Sequence, residues 1–199
     1  MKITIVDYGA GNTTNVRNAF EKLGVATIVS DSERAWKNAD ALVLPGVGAF
    51  GSAMNKLGKK AELTKELLDE GKPFLGICLG MQLLMDSSEE SPGTKGFGII
   101  PGTVKRFRTD FLVPQIGWNE VKTVSSPLFD GLTDFYAYFV HSYYCEPLDS
   151  SYIAATTSYG ITFASAFWKK NIFATQFHPE KSGAGGLKVL ENFLKEVKS

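Results

Sequence analysis

Residues 74–85 read Phe-Leu-Gly-Ile-Cys-Leu-Gly-Met-Gln-Leu-Leu-Met. The run 74–77 is apolar apart from its glycine, as expected of a strand buried on both faces. It leads into Gly76-Ile77-Cys78-Leu79-Gly80, which has the Gly-x-nucleophile-x-Gly form of a strand-to-helix elbow, with cysteine as the nucleophile. On so tight a turn, the residues two positions either side of the nucleophile must lack a Cβ to avoid collision. A helix over 79–85 is expected to follow, aiming its free amides at the sulfur and favouring thiolate. Free cysteines are often inert, buried packing residues, so the neighbours of Cys78 in the sequence must decide between the two roles.

Upstream of the elbow, strands and helices alternate. Residues 3–6, 26–29 and 41–44 are short strand-like runs. Asn12 is placed to cap a helix carrying Val16, Ala19, Phe20 and Leu23 on one face, closed by Gly24. Leu63, Leu67 and Leu68 mark a second helix that ends at Gly71. Buried strands separated by helices mean a parallel sheet covered on both faces. Downstream, β-rich segments at 103–107, 120–124, 136–144, 153–157 and 161–167 follow one another without intervening helices. They predict an antiparallel layer attached to the parallel sheet. Residues 172–177 read as a late strand, and Leu187, Leu190, Phe193, Leu194 and Val197 as the stripe of a last helix. Residues 87–96 are polar and read as a loop. Residues 1–199 are expected to form one α/β domain.

Composition narrows the function. Among 199 residues, 21 basic and 21 acidic side chains cancel, which argues against a nucleic-acid partner. Two cysteines, Cys78 and Cys145, are too few for a disulfide framework or a four-ligand zinc site, so neither metal nor cofactor is expected. The N-terminal apolar run is too short for a signal-peptide core and no stretch reaches a membrane span, so a cytoplasmic protein without a membrane partner is expected.

The chain has two histidines. His178 stands in Gln176-Phe177-His178-Pro179-Glu180-Lys181. In an extended segment, residues two apart face the same side, so Glu180 can orient the His178 imidazole, which can deprotonate a thiol. The preceding strand would reach the same sheet edge as the elbow. His141, within an aromatic alternating segment and without an acid two residues away, is expected to pack rather than to act as a base. Cys145 is expected to be structural. An oxyanion hole needs backbone donors. Leu79 N–H is one, and the glycine-rich stretch from Pro45-Gly46-Val47-Gly48 to Gly51 can supply another.

Together, the elbow continued to Gln82, the Pro-Gly-x-Gly loop at 45–48 and the His-Pro-Glu sequence at 178–180 closely resemble the class I, or triad, glutamine amidotransferases. Flanking stretches at 7–12, 45–51, 116–119, 139–143 and 176–182 look like the glutaminase subunits of imidazole glycerol phosphate synthase. The resemblance implies a three-layer, flavodoxin-like fold with a mostly parallel central sheet. It implies that a Cys78–His178–Glu180 triad hydrolyses L-glutamine through a thioester, with Gly46, Val47 and Leu79 forming the oxyanion hole. It implies that Gln82, Glu90 and the Ser142–Tyr143 backbone, with Gly46, hold the amino and carboxyl groups of glutamine. It also implies a heterodimer with a (β/α)8-barrel synthase subunit that receives the ammonia, with Asn12, Asn15, Trp118, Tyr138 and Lys181 near that partner. The amidotransferase pattern takes up nearly all 199 residues, so docking to a separate synthase is expected.

Two positions depart from the family pattern. Gln115 stands where relatives often have histidine. Val47 replaces the glycine usual in other class I members, although it fits the subfamily, and a β-branched residue resists the positive φ that glycine accepts. The hole is therefore expected to be incomplete in the resting chain and to complete when the loaded synthase docks. Other readings remain: a triad glutaminase serving pyridoxal phosphate or anthranilate formation, a stand-alone cysteine hydrolase, and a nucleotide-binding module. The last rests on Gly9-Ala10-Gly11 and Asp31, but Thr14 occupies the third glycine position of that fingerprint and the triad is left unexplained.

Overall fold

The computed structural model describes residues 1–124 and 126–198. The parallel half is built from β1 (Ile3–Val6), α1 (Thr13–Lys22), β2 (Thr27–Ser30), α2 (Glu33–Lys37), β3 (Ala41–Gly46), α3 (Phe50–Leu57), α4 (Lys60–Asp69), β4 (Phe74–Cys78) and α5 (Leu79–Gln82). The second half comprises β5 (Ser87–Ser88), β6 (Gly102–Arg106), β7 (Gln115–Thr123), β8 (Phe135–His141), β9 (Tyr143–Pro147), β10 (Ile153–Tyr159), β11 (Ile161–Lys169), β12 (Ile172–Thr175) and α6 (Gly183–Glu196). The main sheet runs β2-β1-β3-β4-β12-β11-β10-β7-β8, with β5, β6 and β9 branching from it through β11. From β2 to β12 the pairs are parallel; from β12 to β8 they are antiparallel.

The strand alternation explains the layers. In β3, Ala41 and Val43 join one core with α1 and α6, whereas Leu42 and Leu44 join another with α2, α3 and α4. In β4, Leu75 and Ile77 face the first core and Phe74 the second. A strand apolar at every position can bury both faces only between two helical layers, which gives the three-layer arrangement expected.

Several expected boundaries move. The segment 136–144 is two strands, β8 and β9, separated at Ser142, and β7 begins at Gln115 instead of 120. Residues 87–96 are not wholly loop, because Ser87–Ser88 pairs with β6. The elbow helix ends at Gln82, a single turn, because the chain then folds back with Leu84 N donating to Met81 O and Met85 N to Gln82 O. Helices α2 and α3 have no counterpart in the sequence reading. Helix α3 follows Ala49 and lacks a capping residue, whereas the five-residue α2 follows Ser32, whose side chain makes no capping hydrogen bond.

Candidate active site

The glycines of the elbow answer to specific atoms. Cys78 has φ 54°, a left-handed backbone held by its surroundings. A Cβ on Gly76 would lie 2.7 Å from Gly80 O, and one on Gly80 would lie 1.9 Å from Leu44 O. The turn is thus wedged between its own strand and β3, with Gly46 opposite Cys78 in register. A Cβ on Gly46 would meet the Tyr8 hydroxyl at 2.6 Å and Leu79 Cβ at 2.7 Å, so the loop after β3 lies against the residue that follows the cysteine. On its other side, a Cβ on Gly11 would meet Pro45 O at 3.0 Å, so the Gly9–Gly11 turn packs beneath this loop.

β12 lies parallel beside β4, with Thr175 opposite Ile77, and so delivers Gln176, Phe177 and His178 to the elbow's edge of the sheet. The segment beyond His178 is not extended as expected: Pro179–Lys181 forms a 3₁₀ turn. The histidine and glutamate still meet, with His178 Nδ1–H donating to Glu180 Oε1 at 2.8 Å while both side chains are almost wholly buried. That bond leaves the Nε2 lone pair of the neutral ring for another proton. Nε2 is buried without a hydrogen bond of good geometry, yet the Cys78 sulfur acts on the ring. Burial disfavours the charged imidazole, but the sulfur and the Glu180 carboxylate outweigh it and push His178 up to about 10.

A cleft of about 410 Å³ opens over Cys78. Val47, Leu79, Gln82, Glu90, Ser142 and Tyr143 line it, together with Gly48, Ala49, Val140 and His141. The volume suits a single small molecule, and the lining includes one carboxylate. Of the expected catalytic, oxyanion-hole and glutamine-binding residues, Gly46, His178 and Glu180 do not line this cleft. Gln82 Nε2 donates to Tyr143 O and to Gln176 Oε1, both at 3.2 Å, and Gln176 Nε2 donates to Cys78 Sγ at 3.6 Å. The sequence pattern gave Gln176 no role of its own. Its signal is a wholly buried amide at the end of an apolar strand, a position that demands partners.

His141 also lines the cleft, but its chemistry is different. Its Nδ1–H donates to Tyr143 O at 2.8 Å, and burial lowers its pKa to about 4, so the ring is neutral. Cys145 is buried, and its thiol is raised strongly by that burial. Gln115 is buried directly opposite His141 in the β7–β8 register.

The five residues expected near a partner gather on one side. Trp118 is 57% exposed and meets Tyr138 edge to face at 6.4 Å, while Lys181 Nζ lies over the Tyr138 ring at 5.6 Å. Asn15 and Lys181 line a second concavity of about 380 Å³, together with Glu180. Asn12 Oδ1 caps α1 by accepting from Asn15 N at 3.1 Å. The main chain links this side to the histidine: His178 N donates to Tyr138 O at 3.0 Å, and Ser182 Oγ donates to His178 O at 2.6 Å. Among the described residues, no cluster of three or more His, Cys, Asp or Glu could hold a metal ion, and no helix is long and apolar enough to cross a membrane.

A family model for glutamine amidotransferase class-I matches residues 4–197. The chain belongs to that family. Within it, the chain is 50% identical over 199 residues to the imidazole glycerol phosphate synthase subunit HisH of Methanothermobacter thermautotrophicus, covering 99% of this chain and 100% of the relative. It is 48% identical to the HisH subunit of Methanocaldococcus jannaschii, covering 96% and 98% of the two chains. Its fold is shared with a solved glutamine amidotransferase at TM-score 0.78 and 18% identity, covering 98% and 99%. A glutamine amidotransferase from Thermotoga maritima has TM-score 0.66 and 18% identity, covering 100% and 84%. The two sequence relatives place the chain among the HisH subunits, the group that its flanking motifs resemble; the solved structures show the fold.

Proposed function

We propose that this amidotransferase is the glutaminase of an imidazole glycerol phosphate synthase, acting in histidine biosynthesis in the cytoplasm, and that residues 1–199 work as one domain. The observation that carries this reading is the buried His178–Glu180 pair delivered by β12 beside the Cys78 elbow. With its proton already on His178 Nε2, Cys78 Sγ attacks the side-chain amide carbon of glutamine. The resulting oxyanion takes hydrogen bonds from Leu79 N–H and from the Gly46–Val47 backbone. Collapse breaks the C–N bond, with His178 returning the proton so that ammonia leaves and a thioester remains. Water then attacks the thioester, the now neutral His178 takes its proton, and glutamate leaves as the charged Cys78–His178 pair is restored. Glu180 accepts from Nδ1–H throughout and stabilises the imidazolium without being protonated itself.

Gln82, Glu90 and the Ser142–Tyr143 backbone border the cleft and hold the α-amino and α-carboxyl groups of glutamine, with Gly46, which lies opposite Cys78 in the β3–β4 register. The Trp118, Tyr138, Lys181, Asn15 and Asn12 side receives a (β/α)8-barrel synthase subunit in a heterodimer, and ammonia passes to it. The hydrogen bond from His178 N to Tyr138 O gives docking a short path to the triad. Val47 is not among the non-glycine residues of positive φ in the described chain, which supports an oxyanion loop that turns over only in the docked complex. Glutamate release should be measured for the chain alone, with the synthase subunit, and with the subunit and its ribonucleotide. Release should rise at each addition. Equal turnover under all three conditions would contradict activation by docking, and no release under any would overturn the glutaminase reading.

A further inference from the structure

Helix α3 starts directly after the oxyanion loop, yet it lacks a cap of its own. Ala49 occupies the capping position with suitable extended backbone, φ −87° and ψ 141°, but has no side-chain oxygen to accept the first free amides. Those amides are met from a different loop. Phe50 N donates to Glu90 Oε2 at 2.7 Å, and Gly51 N donates to Ser91 Oγ at 2.9 Å. Gly51 is the second residue of the helix, whose amide a capping serine at position 49 would ordinarily satisfy. The contact is close-fitting, since a Cβ on Gly51 would lie 2.8 Å from Ser91 Oγ and 3.3 Å from Thr94 Oγ1.

The loop that presents this cap is itself fastened. Glu90 N donates to Ser88 Oγ, Ser91 N to Ser88 O and Thr94 N to Ser91 O, at 3.1–3.2 Å, and Glu89 N donates to Val104 O of β6 at 2.9 Å. On the cleft side, Val47, Gly48 and Ala49 run between Cys78 and the capped helix, and Glu90 borders the same cleft. The upstream end of the oxyanion loop is held by β3 pairing with β4. Its downstream end depends on side chains 40 residues away in the sequence.

We propose that Ser91 is a positioning residue for acyl transfer: by capping α3 from outside, it fixes the downstream end of the oxyanion loop. The proposal rests on the glutaminase reading above. Ser91 touches neither the thiol nor the imidazole, so its loss should impair only the step that builds an oxyanion. In the complex with the synthase subunit and its ribonucleotide, Ser91→Ala should lower kcat for glutamate release roughly fivefold, the scale of a lost helix cap. KM for glutamine should stay within about twofold, since Gln82 and the Ser142–Tyr143 backbone, which hold its amino and carboxyl groups, lie on other elements. Alkylation of Cys78 by iodoacetamide displaces iodide and forms no oxyanion, so its rate should not change. Adding Ala49→Ser to Ser91→Ala supplies an oxygen to Gly51 N from within α3 and should restore most of the lost kcat.

An unchanged kcat in Ser91→Ala, alkylation slowing in step with kcat, or no restoration by Ala49→Ser would each overturn the proposal. The wild-type complex separates the two claims. If it releases no glutamate, the glutaminase reading fails; if it does and Ser91→Ala matches it, only the role of Ser91 fails.

Discussion

His178 and His141 occupy two regions of the molecule that look alike by burial and differ in chemistry. Each ring is buried near the end of a strand, 3% and 6% exposed, and each uses Nδ1–H to hold an acceptor at 2.8 Å. For His178 the acceptor is a carboxylate; for His141 it is the carbonyl of Tyr143. Around His141 stand the rings of Phe107, Phe139 and Phe163 at 5.2–5.6 Å. Burial favours the neutral ring at both sites. At His178 the sulfur and the carboxylate outweigh burial and raise the pKa to about 10, whereas at His141 burial prevails and lowers it to about 4. Burial alone therefore does not make a buried histidine a proton carrier; a charged partner does.

The sharpest way to break this comparison is to replace each ring. His178→Asn should cut glutamate release by a thousandfold or more, on the order of losing a general base together with its nucleophile's activation. His141→Asn keeps an N–H donor for Tyr143 O and should cost less than about tenfold. Similar losses in steady-state assays of the complex would erase the distinction.

Glu180→Gln comes next. It keeps the shape of the pair but removes the charge, and should reduce kcat by roughly 10²–10⁴. The His178 imidazole should then titrate below its wild-type value, as read by proton NMR. An unchanged titration would mean that the carboxylate is not what separates the two histidines.

The smallest effect is on stability. The folded pKa of His141 lies below its ordinary 6.5, so its contribution is complete above that value and is lost as pH falls towards 4. His178 has the opposite sign: its contribution is complete below 6.5 and is lost as pH rises through about 10. Urea unfolding across pH should therefore show His141→Asn differing from the wild type in its pH dependence between about 4 and 6.5, and Glu180→Gln in its dependence on the alkaline side. Parallel curves on both sides would contradict the assigned directions.

Much of this arrangement was legible in the sequence. The glycines at 76 and 80 announced a turn without room for Cβ atoms, and the apolar runs at 41–44 and 74–77 announced strands covered on both faces. His178 and Glu180 were legible as a pair even though a 3₁₀ turn starts at Pro179, because His178 itself keeps an extended backbone, φ −97° and ψ 96°. What stayed hidden depended on tertiary supply. Helix α3 begins without a side-chain cap of its own because Glu90 and Ser91 provide one from another loop. Gln176 belongs to the hydrogen-bonded chain from Tyr143 to Cys78, which forms only once β12 lies beside β4. The break at Ser142 divides an aromatic run whose alternation reads as continuous.

The most direct test of the central claim is Cys78→Ala in the complex with the synthase subunit. Formation of the cyclised product should be measured with glutamine and, separately, with an ammonium salt as the nitrogen source. The account predicts that glutamine-driven synthesis disappears while ammonium-driven synthesis continues at the wild-type rate. Continued use of glutamine by the Cys78→Ala complex would contradict it.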